Sequence, residues 1–118
     1  MELNIMGTQY TVNRYNYKDK PLFEKRSIGG YCDSTEKEIA IVNLETYPGF
    51  EDESPEYCRK AEKETLRHEI VHAFLSESGL DDSSLVFERG WAKNEEMMDW
   101  IAKQFHKILE VFKAADCL

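Results

Sequence analysis

Residues 54 to 79 restrict the fold more than any other part of the chain, because they read as one helix of about 24 residues that carries His68-Glu69-Ile70-Val71-His72. Ser54-Pro55-Glu56 opens it with an N-cap, a proline in the first turn and an acid that suits the helix dipole. Gly79 follows Ser78 as the residue suited to a left-handed C-terminal cap. At 3.6 residues per turn, positions 68 and 72 stack on one helical face, so both imidazoles can reach a single ion. Glu69 is rotated about 100° from His68, where its carboxylate can take a proton from a metal-bound water instead of binding the metal. The chain has only three histidines, and two of them fall here. The competing reading is a solvated helix with two surface histidines. Ile70, Val71, Phe74 and Leu75 weigh against it, because they are expected to bed the helix in a core. Arg59, Lys60, Glu62, Lys63 and Glu64 make the first half of the helix solvent-facing.

Strand patterns precede this helix. Glu2 to Met6 and Gln9 to Tyr17 read as a hairpin about a Gly7-Thr8 turn, and Lys18 to Arg26 is charged and interrupted by Pro21. Ile28 to Asp33 and Glu38 to Leu44 make two further strands around a Ser34 to Lys37 turn, with Ile39 and Ile41 supplying β-branched character. Tyr47 to Glu53 is an acidic loop containing proline and glycine. Leu80 to Trp91 is irregular, with Asp81-Asp82-Ser83-Ser84 as turn chemistry and Gly90 as a break. Asn94 caps a final helix whose stripe of Met97, Ile101, Phe105, Ile108 and Phe112 is expected to be core, with Met98, Ala102 and Leu109 on a neighbouring row. The fold class is therefore α+β: a small N-terminal antiparallel or mixed sheet packed on the long HExxH helix and a C-terminal helix.

The length of 118 residues predicts a single domain over residues 1–118, burying roughly 65% of its unfolded surface. Acidic residues outnumber basic ones 23 to 15, for a net charge of −8. No basic stripe with interleaved aromatics appears, which argues against a nucleic-acid partner. No apolar run approaches a membrane span, and no basic, apolar leader opens the chain, so a cytoplasmic protein with no membrane partner is expected. Cys32, Cys58 and Cys117 are odd in number and lack CxxC spacing, which points to neither a disulfide framework nor a thiolate metal site.

Catalytic zinc takes three protein ligands and keeps one position for water, so two histidines need a partner downstream. A metzincin continuation would require Gly at 75 and His at 78, where this chain has Leu75 and Ser78. His106 could share the metal, although a partly exposed helix position suits it better. Asn94-Glu95-Glu96-Met97-Met98-Asp99 offers more. Glu95 and Asp99 are four apart on one face, so one carboxylate can bind the metal while the other accepts an N–H from a ligating imidazole. Acids belong in any first helical turn, but that does not account for Asp99, a weak helix former in the second turn. Glu96 is the alternative to Glu95.

A helical HExxH followed by N-E-x-x-x-D resembles the gluzincin arrangement of thermolysin-type zinc metallopeptidases. At this size the chain is most similar to minimal gluzincins and to the ImmA/IrrE-like domains of bacteria, phages and prophages. Glu95, Asp99 and Ala102 match the glutamate of that pattern, the Asn or Asp four residues later and the small residue seven later. The resemblance spans about residues 36 to 102 and implies a zincin-like fold. It implies Zn2+ held by His68, His72 and Glu95, Glu69 as general base, and Asp99 supporting a ligating histidine. It also implies peptide-bond hydrolysis on a protein or peptide substrate that lies extended, antiparallel to an edge strand built from Glu38 to Leu44. The thermolysin-type C-terminal domain, and with it the group that stabilises the oxyanion, has no counterpart. Tyr31, Tyr47, Tyr57 and Arg89 could fill that role. The rival expectation is a zinc-binding regulatory or interaction module of a phage or mobile element with little or no catalysis.

Overall fold

A computed structural model describes residues 1–80 and 93–118, with Phe112 described by its backbone alone. The fold is α+β. Strands β1 (Glu2–Ile5), β2 (Thr8–Tyr15), β3 (Gly30–Asp33) and β4 (Glu38–Val42) form one mixed sheet in the order β1-β2-β4-β3. Helices α1 (Pro21–Arg26), α2 (Pro55–Glu77) and α3 (Glu95–Ala114) and the single 3-10 turns Tyr17–Asp19 and Leu44–Thr46 make up the other described elements. The β1–β2 and β3–β4 pairs are antiparallel, and β2 runs parallel to β4. The first hairpin turns at Met6-Gly7, one residue earlier than Gly7-Thr8. Both residues carry positive φ, as a two-residue hairpin loop requires. The Gly7 N–H donates to Asn4 Oδ1 at 2.8 Å, which helps hold Met6 in a region unusual for its type.

Pro21 begins α1, a short helix that the charge of Lys18 to Arg26 concealed. Proline suits a first turn, whose N–H donors have no intrahelical acceptor, and Phe23 anchors the helix by full burial. The helix stops at Ser27, a left-handed cap with φ of 52°.

The continuous apolar run of β4 reflects burial on both faces. Ile39 and Ile41 join Ile5, Tyr10, Val12 and Ala73 under α2, whereas Ala40 and Val42 meet Phe23, Leu44 and Cys58 on the other side. This strand is therefore interior, and the edge expected from Glu38 to Leu44 belongs instead to β3. The register fixes what that edge offers. Val42 N–H donates to Gly29 O at 2.9 Å. The alternate pairs Gly30–Ile41 and Cys32–Ile39 consequently point their N–H and C=O groups away from β4.

Both caps of α2 follow the sequence: Ser54 Oγ accepts from Tyr57 N–H at 3.1 Å, and Gly79 adopts φ of 78°. Its buried side departs from the hydrophobic pattern. Phe74 is 44% exposed, while Glu62 and Glu69 are buried. Glu62 takes two hydrogen bonds from Arg14 and one from the Leu44 N–H, so the charge is compensated where it is desolvated. At the other end, Glu77 accepts from Thr8 Oγ1, Tyr10 Oη and Lys37 Nζ. These two carboxylates tie α2 to the sheet on either side of the HEIVH segment.

In α3 the buried row is Met98 and Ala102, and Phe105 of the expected core stripe is 55% exposed. Arg67 Nε donates to Ala102 O at 3.2 Å and Lys103 pairs with Glu64 at 3.3 Å, which sets α3 beside α2. Asp81 to Ser84 and Gly90 lie outside the described residues.

Candidate metal centre

One face of α2 presents His68 and His72 to the opening turns of α3. Asn94 Oδ1 caps that helix by accepting from Met97 N–H at 2.8 Å, and the cap directs Glu95 toward the imidazoles. His68 Nε2 and His72 Nε2 lie 2.9 Å apart, and Glu95 Oε2 stands 3.0 Å from the first and 3.4 Å from the second. Asp99, four residues on, accepts from His68 Nδ1 at 2.7 Å. Glu96 is exposed beside this cluster, and His106 is exposed farther along α3.

When His68 carries a single proton, the Asp99 contact places it on Nδ1, so Nε2 presents a lone pair to the cluster. Three atoms capable of accepting then converge within 3.4 Å. A single N–H from His72 can serve one of them. A divalent cation can serve all three, and the dimensions fit it. Four tetrahedral ligands held at about 2.0–2.1 Å stand roughly 3.3 Å apart, against 2.9, 3.0 and 3.4 Å here. Two imidazoles and one carboxylate form a donor set that suits first-row transition metals.

Glu69 differs from Glu95 in burial and in its partner. Its ligand oxygen lies within 4.8 Å of those of both histidines, so proximity alone would also admit it as a ligand. Its carboxylate, however, is turned to the sheet, where it accepts from the backbone of Cys32 on the outer edge of β3. Glu95 lies closer to both imidazoles and leaves Glu69 beside the cluster. Burial pushes the Glu69 carboxyl up to about 7; His68 opposes the rise, and the charges of Glu95 and Asp99 add to it. A carboxylate titrating near neutrality is matched to moving a proton there.

A cleft of about 340 Å³ opens over the cluster, lined among others by Arg26, Ile28, Ser34 and Ser76. A neighbouring hollow continues past Gly29, Gly30 and Thr65 to Asp99 and Lys103. None of the described tyrosines named for oxyanion stabilisation reaches either one. Tyr31 packs on Phe23 beneath the opposite face of the sheet, Tyr47 stacks edge-on with Tyr17 and Phe50, and Tyr57 lines a separate hollow with Lys60 and Arg67. Arg89 lies outside the described residues.

Three contributors to the site had no signal in the motif. The Cys32 backbone holds Glu69, and Arg26 enters the cleft from the end of α1. Gly30 lets α2 approach β3, because a Cβ there would stand 2.7 Å from Thr65 Cγ2. Thr65 is the small residue three positions before His68, and its size is what this close approach needs. No helix among the described residues is long and apolar enough to cross a membrane. No protein family model, curated protein or solved structure matches the chain.

Proposed function

We propose that the chain is a zinc-dependent peptidase of minimal gluzincin type, with a zincin-like fold, acting on a protein or peptide substrate. The observation that carries this reading is the convergence of His68 Nε2, His72 Nε2 and Glu95 Oε2 into one triangle, with Asp99 behind His68 and buried Glu69 beside it. His68, His72 and Glu95 hold the metal in this reading, and Asp99 orients the His68 ring by accepting from its Nδ1. Bound there, zinc would lower the pKa of water to about 7 and polarise a carbonyl. Glu69 takes the water proton and returns it to the leaving amine, a transfer worth roughly 10²- to 10⁴-fold. Burial keeps its carboxylate poorly solvated, and the Cys32 N–H holds it in one orientation.

The substrate is expected on β3. Gly30 and Cys32 direct backbone groups outward beside His68 and Glu69, and the Cys32 N–H is committed to Glu69. Gly30 therefore offers its outward backbone groups to an extended peptide added at the sheet edge. Zinc content of protein purified without chelator, read beside peptide-library cleavage, tests the reading. Activity that disappears with chelator and with Glu69→Gln supports it; protein that holds no zinc, even on titration, refutes it.

A regulatory module that binds zinc with little catalysis is the second reading. It is favoured by the position of Tyr31, Tyr47 and Tyr57 outside the cleft. Zinc-loaded protein that cleaves no member of the library would select it.

A further inference from the structure

Among the described residues, Arg26 is the one charged group lining the cleft over the imidazoles that neither belongs to the cluster nor answers to it. The other described ionisable groups along that cleft are His68, Glu69, His72, Glu95 and Cys32. Among the described residues no carboxylate lies within ion-pair distance of the Arg26 guanidinium. Other basic side chains that approach the sheet and α2 do find acids, as Arg14 does with Glu62 and Lys37 with Glu77.

The backbone that carries Arg26 is held firmly. Phe23 is fully buried one turn earlier, Ser27 closes the helix by donating to Glu24 O, and Ile28 N–H donates to Phe23 O at 3.2 Å. Two residues later Gly29 O accepts from Val42 and the chain enters β3. Arg26 therefore projects from a fixed end beside the open edge of the sheet. A basic residue in the last turn also complements the helix dipole, but Lys25 does the same without lining the cleft.

We infer that Arg26 selects substrates by binding a peptide carboxylate, either an acidic side chain near the scissile bond or the C-terminal carboxylate. This rests on the peptidase reading and adds a substrate class to it. Arg26 itself is exposed, whereas Glu69 is buried. That exposure places it at the rim, where a bidentate guanidinium can grip a carboxylate. Oxyanion stabilisation would need a donor packed against the reacting carbonyl.

The test uses zinc-loaded protein and dipeptides with a hydroxamic acid on an N-terminal acyl group, which anchor on the metal independently of turnover. A matched set carries Glu, Gln or Lys beside the hydroxamate, each with a free C-terminal carboxylate or an amide, and affinities are measured by calorimetry. Tighter binding of the Glu amide than the Gln amide, by about tenfold, assigns a side-chain carboxylate; the same preference for free acid over amide in the Gln pair assigns the C-terminus. In either case Arg26→Ala should abolish the preference while leaving the Gln amide unchanged, and Arg26→Glu should turn it toward Lys. Equal affinities across the set overturn the inference. So does an Arg26→Ala variant that binds the whole set normally yet loses kcat equally on acidic and neutral peptides, which would mark an oxyanion role. Protein that holds zinc but binds no hydroxamate refutes the peptidase reading itself, and the inference falls with it.

Discussion

Gly30→Ala puts the seating of the site on the sheet to a quantitative test. A Cβ at position 30 would meet Thr65 Cγ2 at 2.7 Å, Ile41 Cδ1 at 3.0 Å and Ala40 O at 3.1 Å, where ordinary contacts begin at 3.4 Å. Relieving the closest contact requires α2 to move by about 0.7 Å from β3 or Thr65 to change rotamer. Overpacking of that kind costs about 1–3 kcal/mol. Replacing glycine returns about 0.4–1 kcal/mol by restricting the unfolded chain. The net loss should be about 1–2 kcal/mol, seen by circular dichroism as a fall in Tm of roughly 4–10 °C. Thr65→Ser removes the offending methyl and keeps the hydroxyl that bonds Ala61 O at 3.2 Å. The double variant should recover at least half of the loss, a coupling that a double-mutant cycle isolates. Because Glu69 is held by the Cys32 backbone two residues along the same strand, Gly30→Ala should also weaken peptide turnover more than zinc binding. A Gly30→Ala protein with unchanged Tm and no coupling to Thr65→Ser would refute this account of how α2 sits on β3.

Other consequences of the site can be measured directly. Glu95→Ala should lose the metal and Asp99→Ala should weaken its affinity by about 10- to 100-fold, both by competition with a chromogenic chelator; full occupancy in Glu95→Ala would remove Glu95 from the ligand set. Chelation should raise hydrogen exchange in the first turns of α3 and leave β2 and β4 protected, because Glu95 and Asp99 are largely exposed and only Met98 and Ala102 are fully buried on the described part of that helix; unchanged exchange would show that α3 docks without metal. In metal-free protein the raised carboxyl of Glu69, at about 7 against an ordinary value of 4.5, sets the sign of a pH effect. Stability should fall as pH rises between those values and level off above them, so Glu69→Gln should be the more stable protein at pH 8 by up to about 3 kcal/mol, with no difference below pH 4; equal urea midpoints at pH 8 would contradict the burial argument.

Local rules made several features legible without the fold. Helix spacing put His68 and His72 together, capping chemistry marked Ser54, Gly79 and Asn94, and the pairing of Glu95 with Asp99 singled out the segment that meets the imidazoles. Alternation failed where an element is buried on two sides or carries paired charge. EIAIV reads as a strand in either position, so its place inside the sheet depends on β3 adding outside it. Glu62 reads as a solvent residue because its partner Arg14 is 48 positions away. Phe105 reads as core by period, yet α3 buries mainly the neighbouring row of Met98 and Ala102.

The division between sequence and structure follows the range of the forces involved. Spacing of three or four residues is fixed by the helix itself, so the chain alone determined that two imidazoles share one face with a carboxylate on its flank. Which carboxylate closes the triangle, and which lies buried beside it, depended on contacts between segments far apart in the chain. Glu69 became the buried acid because Gly30 admits α2 against β3 and Cys32 offers it an N–H. Glu95 became the third member because α3 returns alongside α2. Desolvation and convergence are properties of packing, and only the tertiary structure could decide them.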